Sequence, residues 1–167
     1  MTMLCGERNH LQPTNFNLII DRVNYPSLNY YVNSFSHASV SLNNTTNFTF
    51  KRITNVPIIG DSIDYGTVTF DVIIDEDMNS YTEIYDWMNR LVDNKYVAPY
   101  NDTDALPSSE EDLVLLIYTS ADTVNKKIVY KNAFPTALGE IQFNSTTTDP
   151  EVITVPVTFA FTYFTIE

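Results

Sequence analysis

Asp75, Glu76 and Asp77 stand in a row, and hard cations prefer clustered carboxylates of this kind. A calcium loop, however, needs ligands at alternating positions, a glycine at its bend and a closing glutamate. The run lacks that spacing, and the start of a helix explains it without a metal, because acids there complement the positive end of the helix dipole. His10 and His37 show no zinc spacing with Cys5, the single cysteine. Both histidines have polar neighbours, which predicts exposure, and neither has a partner from which a triad could be argued. Cys5 lies near the first residue with no evident base beside it, so it makes a poor nucleophile. Gly6, Gly60, Gly66 and Gly139 are the only glycines, and they form no phosphate-cradling loop. A glycosidase pair could be drawn from any two of twenty-one acids, which gives that idea little weight. The expectation is a protein that is not an enzyme, with no cofactor and no metal.

Charge narrows the partners. Nine basic residues against twenty-one acidic ones give a formal net charge of −12 and a pI near 4.3. A groove that grips phosphates draws its affinity from Lys and Arg, so specific nucleic-acid binding is not expected. Solubility through self-repulsion and a surface that repels nucleic acid both satisfy this composition. The opening MTMLCGERNH lacks the apolar run of a signal peptide, and no stretch approaches the length of a membrane span. Five Asn-x-Ser/Thr triplets begin at Asn43, Asn44, Asn47, Asn101 and Asn144, and they follow from a chain rich in Asn and Thr. With no intramolecular disulfide available, a reducing compartment or an assembled particle fits best. One soluble domain over residues 1–167 is expected.

Period-two alternation dominates the chain. Ile153, Val155, Val157, Phe159, Phe161 and Tyr163 fall on one face of a long C-terminal strand, opposite Thr and other small residues. Pro156 lacks a ladder N–H and hints at an edge or a bulge there. Residues 66–74 repeat the pattern, with Val68, Phe70, Val72 and Ile74 inward. Shorter strands are predicted at 15–20, 28–35, 46–53 and 126–131. The run from Leu113 to Tyr118, LVLLIY, suits a central strand covered on both faces.

One helix is predicted over about 79–92. Ser80 and Glu83 have the form of a capping box, and Tyr81, Ile84, Tyr85, Met88 and Leu91 make an apolar stripe flanked by Trp87. Residues 94–111 read as a surface loop, and 54–64 as an irregular stretch that could join 42–53 in a long extended hairpin. The fold class is mainly β: an antiparallel barrel or sandwich with one flanking helix and that extension.

Aromatic residues make up 13% of the chain. Tyr30, Tyr31, Phe35, Phe48 and Phe50 suit core packing, but aromatics also gather at subunit interfaces. Phe48 and Phe50 share one face of the segment leading into the hairpin. With Ile58 and Ile59 they are the candidate assembly contacts.

Three blocks resemble the tail tube proteins of contractile-tailed bacteriophages and their relatives at the baseplate end of the tube. They are FNLIIDRVNYPSLNYYVNSFSHASVSL, GDSIDYGTVTFDVIIDEDMNSYTEIYDWMNRL and KNAFPTALGEIQFNSTTTDPEVITVPVTFAFTYFTIE. The second is similar to the family's strand, acidic turn and Trp-containing helix, and the third to its Phe-Pro-Thr turn and closing strand. Family members often carry Pro-Gly where this chain has His37-Ala38-Ser39. The resemblance implies hexameric rings that join strands between subunits and stack into a tube, with a long hairpin reaching the next ring. It implies a virion tail protein, assembled in the host cytoplasm, that serves as the main tube or as a tube initiator or other baseplate-proximal ring. The implied partners are further copies of the chain, the tail sheath protein, baseplate or tube-initiator proteins and a tape measure protein in the lumen. DNA would pass without specific binding, and this chain would insert into no membrane.

Overall fold

The computed structural model describes residues 11, 13–21, 24–29, 32–46, 57–96, 110–143 and 152–167. In chain order they form β1 (Phe16–Ile19), a 3-10 turn (Ser27–Asn29), β2 (Val32–Ser36), β3 (Val40–Thr46) and β4 (Pro57–Tyr65). There follow β5 (Val68–Ile73), α1 (Asn79–Tyr96), β6 (Glu111–Tyr118), β7 (Val124–Leu138), β8 (Thr154–Ala160) and β9 (Tyr163–Ile166). Every strand pair is antiparallel.

Seven strands form one continuous sheet in the order β1-β6-β7-β8-β5-β2, with β9 also on β7. The 15-residue β7 folds this sheet into two layers. Its first half pairs with β6 and β9, and its second half with β8. The change falls at Asn132, whose φ of 54° is a left-handed value that Asn tolerates better than most residues. A register shift between Pro135 and Ala137 then bends the strand further. Phe134-Pro135-Thr136 is therefore a bulge inside a strand, where the family resemblance implied a turn.

The two layers enclose one core. Leu18, Leu113, Leu115 and Tyr130 from the first layer meet Val68, Phe70, Val157 and Phe159 from the second. In β5, Val68, Phe70 and Val72 are buried and alternate with half-buried Thr69, Asp71 and Ile73, as the period-two pattern predicts. β6 is interior as expected, but only one of its faces is buried. Leu113 and Leu115 point to the core, whereas Val114 and Leu116 are half-buried on the opposite side.

Helix α1 packs on the core through Ile84, Trp87, Met88 and Leu91, at helical spacing. Trp87 is fully buried at the centre of this stripe, while Tyr85, expected to be part of it, faces solvent. The helix begins where predicted but continues to Tyr96. Its start also differs: Asp75, not a Ser80–Glu83 box, caps it. Ser80 N–H and Oγ donate to Asp75 Oδ1 at 3.3 and 3.2 Å, and Asn79 donates to Oδ2 at 3.0 Å. Glu83 instead accepts the Ser27 N–H at 3.4 Å, tying the helix to the 3-10 turn.

Two further expectations change. The long C-terminal strand is two strands, β8 and β9, broken at Phe161-Thr162. Pro156 lies in an interior strand rather than an edge, opposite Asp71 of β5. Its carbonyl accepts Gly139 N–H at 2.8 Å just past the end of β7, so the missing N–H also faces the point where the partner strand ends. A Cβ on Gly139 would lie 2.6 Å from Pro156 Cγ, too close for ordinary packing. The segment 28–35 is not one strand either, since the 3-10 turn precedes β2.

Candidate functional site

Of the stretch 54–64, expected to be irregular, residues 57–64 belong to strand β4. It pairs with β3 in a two-stranded sheet of its own. Near the body Val40 faces Tyr65, Ser41 faces Asp64 and Leu42 faces Ile63; farther out Asn44 faces Ile59, Thr45 faces Ile58 and Thr46 faces Pro57. Between these runs Gly60, Asp61 and Ser62 oppose the single Asn43. Gly60 is needed at this bulge, because a Cβ there would lie 1.6 Å from the Asn43 carbonyl oxygen.

The hairpin carries apolar side chains into solvent. Leu42 and Ile63, a directly opposed pair, are each 54% exposed, and Ile59 beyond the bulge is 80% exposed. Val40 is also exposed, while Tyr65 at the root packs on Phe161 and Phe164 with centroids 6.0 and 5.4 Å away. An apolar ribbon thus runs outward from the core along one face. Ile59 lies on the extension. Ile58 is described in its backbone alone, and Phe48 and Phe50 lie outside the described residues, as do Cys5 and His10.

A second surface is the outer face of the β7-β8-β5-β2 layer. Ser34, Ser36, Thr69, Asp71, Thr154 and Thr158 share it by register. Ser34 Oγ donates to Asp71 Oδ2 at 2.5 Å, and the Thr69 and Thr158 hydroxyls are 3.4 Å apart. No Lys or Arg occurs in β2, β5, β8 or the β7 segment that pairs with β8. Lys126, Lys127 and Lys131 belong instead to the first half of β7. On that layer's outer side Lys127 pairs with Glu167 at 3.0 Å, and Lys131 with Asp112. The chain places its described strand cations on one layer, while the outer face of the other carries hydroxyls and Asp71 beside Ile73 and Pro156.

A groove of about 380 Å³ lies between the end of α1 and β7, lined by Met88, Leu91, Val92, Phe134 and Pro135. Its polar lining is Glu110 and Thr136, which form no nucleophile–base pair.

Similarity to solved structures agrees with this architecture. A chain of the PVC extracellular contractile injection system, in its extended sheath–tube complex, aligns with TM-score 0.66 and 16% identity, over 96% of this chain and 93% of that one. A chain of the six-fold symmetrised anti-feeding prophage (AFP) baseplate gives 0.68 and 8%, over 95% and 96%. The chain has the tube fold of contractile systems. Hcp1 from Salmonella typhimurium aligns less closely, with TM-score 0.51 and 12% identity over 91% of this chain and 84% of that one. No family model and no curated protein sequence matches the chain.

This fold agrees with the family resemblance read from the sequence, and most site detail comes from the structure alone. His37, expected to lack a partner, hydrogen-bonds Tyr130 with Nδ1 and hydroxyl 2.5 Å apart. Of the Asp75–Asp77 run, Asp75 caps the helix start. The cation-free layer was legible as an absence of Lys and Arg around residues 66–74 and 152–167, but only the register shows that these strands share one face.

Proposed function

We propose that this chain is a non-catalytic structural subunit whose copies close into six-fold rings and stack into the tube of a contractile phage tail. The observation that carries the reading is the β3–β4 hairpin. An isolated two-stranded hairpin is marginal in water, and this one exposes Leu42, Ile59 and Ile63 as well. Cover from a neighbouring ring would bury that ribbon. The edges of β1, β2 and β9, each paired on one side among the described residues, offer backbone groups for joining subunits within a ring. Fold similarity to a chain of a six-fold symmetrised baseplate supports the ring order.

In this reading the hydroxyl-rich layer lines the lumen. DNA sliding past Lys or Arg would release counterions and stick, whereas a wall of hydroxyls and Asp71 gives it nothing to grip. The layer that carries the lysines, with their paired acids, then faces outward, toward the sheath. A tape measure protein would occupy the lumen before DNA, and baseplate or initiator proteins would meet the end rings. Closed rings that stack heterologously give a filament, so another component sets its length. A tube initiator or other baseplate-proximal ring of the same fold is the second reading, favoured by the likeness to a baseplate chain. Negative-stain electron microscopy of the purified chain tests the proposal. Six-fold rings or tubes are expected, and a persistent monomer at high concentration with no such particles overturns it.

A further inference from the structure

The hairpin leaves the body through His37-Ala38-Ser39 and returns through Tyr65-Gly66-Thr67, so these two short segments set its direction. Three contacts hold them. Gly66 N–H donates to the Ser39 carbonyl at 2.8 Å, Tyr65 packs on Phe161 and Phe164, and Ala38 is buried. The fourth is different in kind. His37 Nδ1 lies 2.5 Å from the hydroxyl of Tyr130, a residue with no exposed surface at the centre of the aromatic cluster. The His37 ring also meets Phe164 edge-on, with centroids 4.9 Å apart and an interplanar angle of 75°. We propose that His37 is a proton-operated latch at the root of the hairpin, closed when its imidazole is neutral and released when it is protonated.

The chemistry follows from the donor count. The Tyr130 hydroxyl must donate its proton to some acceptor, and neutral Nδ1 is its hydrogen-bond partner among the described residues. Protonation turns Nδ1 into a donor, so two donors face each other and the buried hydroxyl proton loses its acceptor. Leaving a buried donor unpaired is what makes such a contact sensitive. Burial also raises the Tyr130 pKa well above its ordinary value, so the phenol stays protonated and cannot relieve the conflict by ionising. Tyr130 of β7 is the titratable group in contact with the imidazole; β9 contributes Phe164, and β4 contributes Tyr65 against that same Phe164.

Burial lowers the His37 pKa below its ordinary value of 6.5. A depressed pKa in the folded chain means that the latch contributes fully above that value and weakens as pH falls through the lowered one. His37 keeps enough exposed surface for a proton to reach it.

Backbone hydrogen exchange of the full chain tests this without reference to assembly. The readout is the protection factor of the Gly66 amide, corrected for intrinsic exchange rates, at pH 7.5 and pH 5. Protection is expected to fall several-fold on acidification in the wild type. It should stay flat in His37→Gln, which retains an acceptor that does not titrate, and in Tyr130→Phe, which has no hydroxyl proton to strand. The second variant keeps the test open if the first fails to fold. A wild-type amide equally protected at both pH values overturns the proposal, as does a fall of the same size in both variants.

Discussion

The ring of Tyr25 stacks on the indole of Trp87, centroids 4.4 Å apart and planes 16° from parallel. Trp87 also meets Phe159 of β8 edge-on at 5.4 Å, and Arg90 one turn on donates to the Tyr25 hydroxyl at 2.6 Å. One side chain therefore joins the helix to the segment before β2 and to the core strand beneath it. Trp87→Ala is expected to cost about 3–5 kcal/mol, the range for deleting a large buried aromatic. Urea unfolding followed by circular dichroism checks it, and a loss below about 1 kcal/mol would remove Trp87 from this central role.

Asp75 gives a prediction with a sign. Burial pushes its carboxyl pKa up, but hydrogen bonds from Ser80 and Asn79 outweigh this and hold it below the ordinary 3.8. The cap is accordingly complete above that value and fades as pH falls through the lowered one. Asp75→Ala should lower the melting temperature by about 3 °C near neutral pH. The gap to wild type should narrow as pH falls below 3.8. A gap that stays constant into acid would mean that the carboxylate charge contributes nothing.

The ribbon on the hairpin gives a third. Leu42→Asp combined with Ile63→Asp places two charges where the proposed ring contact needs apolar surface. Both positions are largely exposed, so the melting temperature should move by no more than about 2 °C. Sedimentation should show assembly reduced to single rings or smaller species. Tubes of wild-type length from this variant would place the stacking contact elsewhere.

What the sequence disclosed depended on whether local pattern and tertiary contact agreed. β5 was legible because Val68, Phe70 and Val72 alternate cleanly and all reach the core. The helix was legible from the spacing of Ile84, Met88 and Leu91, yet Trp87 was set beside the stripe it centres. The cap was missed because Asp75 acts from five residues before Ser80, outside the local box pattern. β4 was hidden because the polar run Gly60-Asp61-Ser62 of its bulge separates Ile59 from Ile63, and both of these isoleucines face outward. The break between β8 and β9 was present in the sequence as a change of phase. Phe159 and Phe161 are two apart, whereas Phe161 and Phe164, which both pack against the core, are three apart. Proline misled in two of the three described strands that carry it, β7 and β8. Pro135 and Pro156 are interior, one beside a bulge and one at the point where its partner strand ends. The apolar ribbon of the hairpin was legible only as a location, since exposure there cannot be read from residue type.

The passage of β7 through both layers has a mechanical consequence. Pairs of strands held by hydrogen bonds can be peeled apart one bond at a time, but a covalent backbone cannot. A pull entering one layer reaches the other through the peptide chain around Asn132, so the layers share tension instead of sliding past each other. In a stacked column, every subunit would then transmit axial shock as a single stiff body.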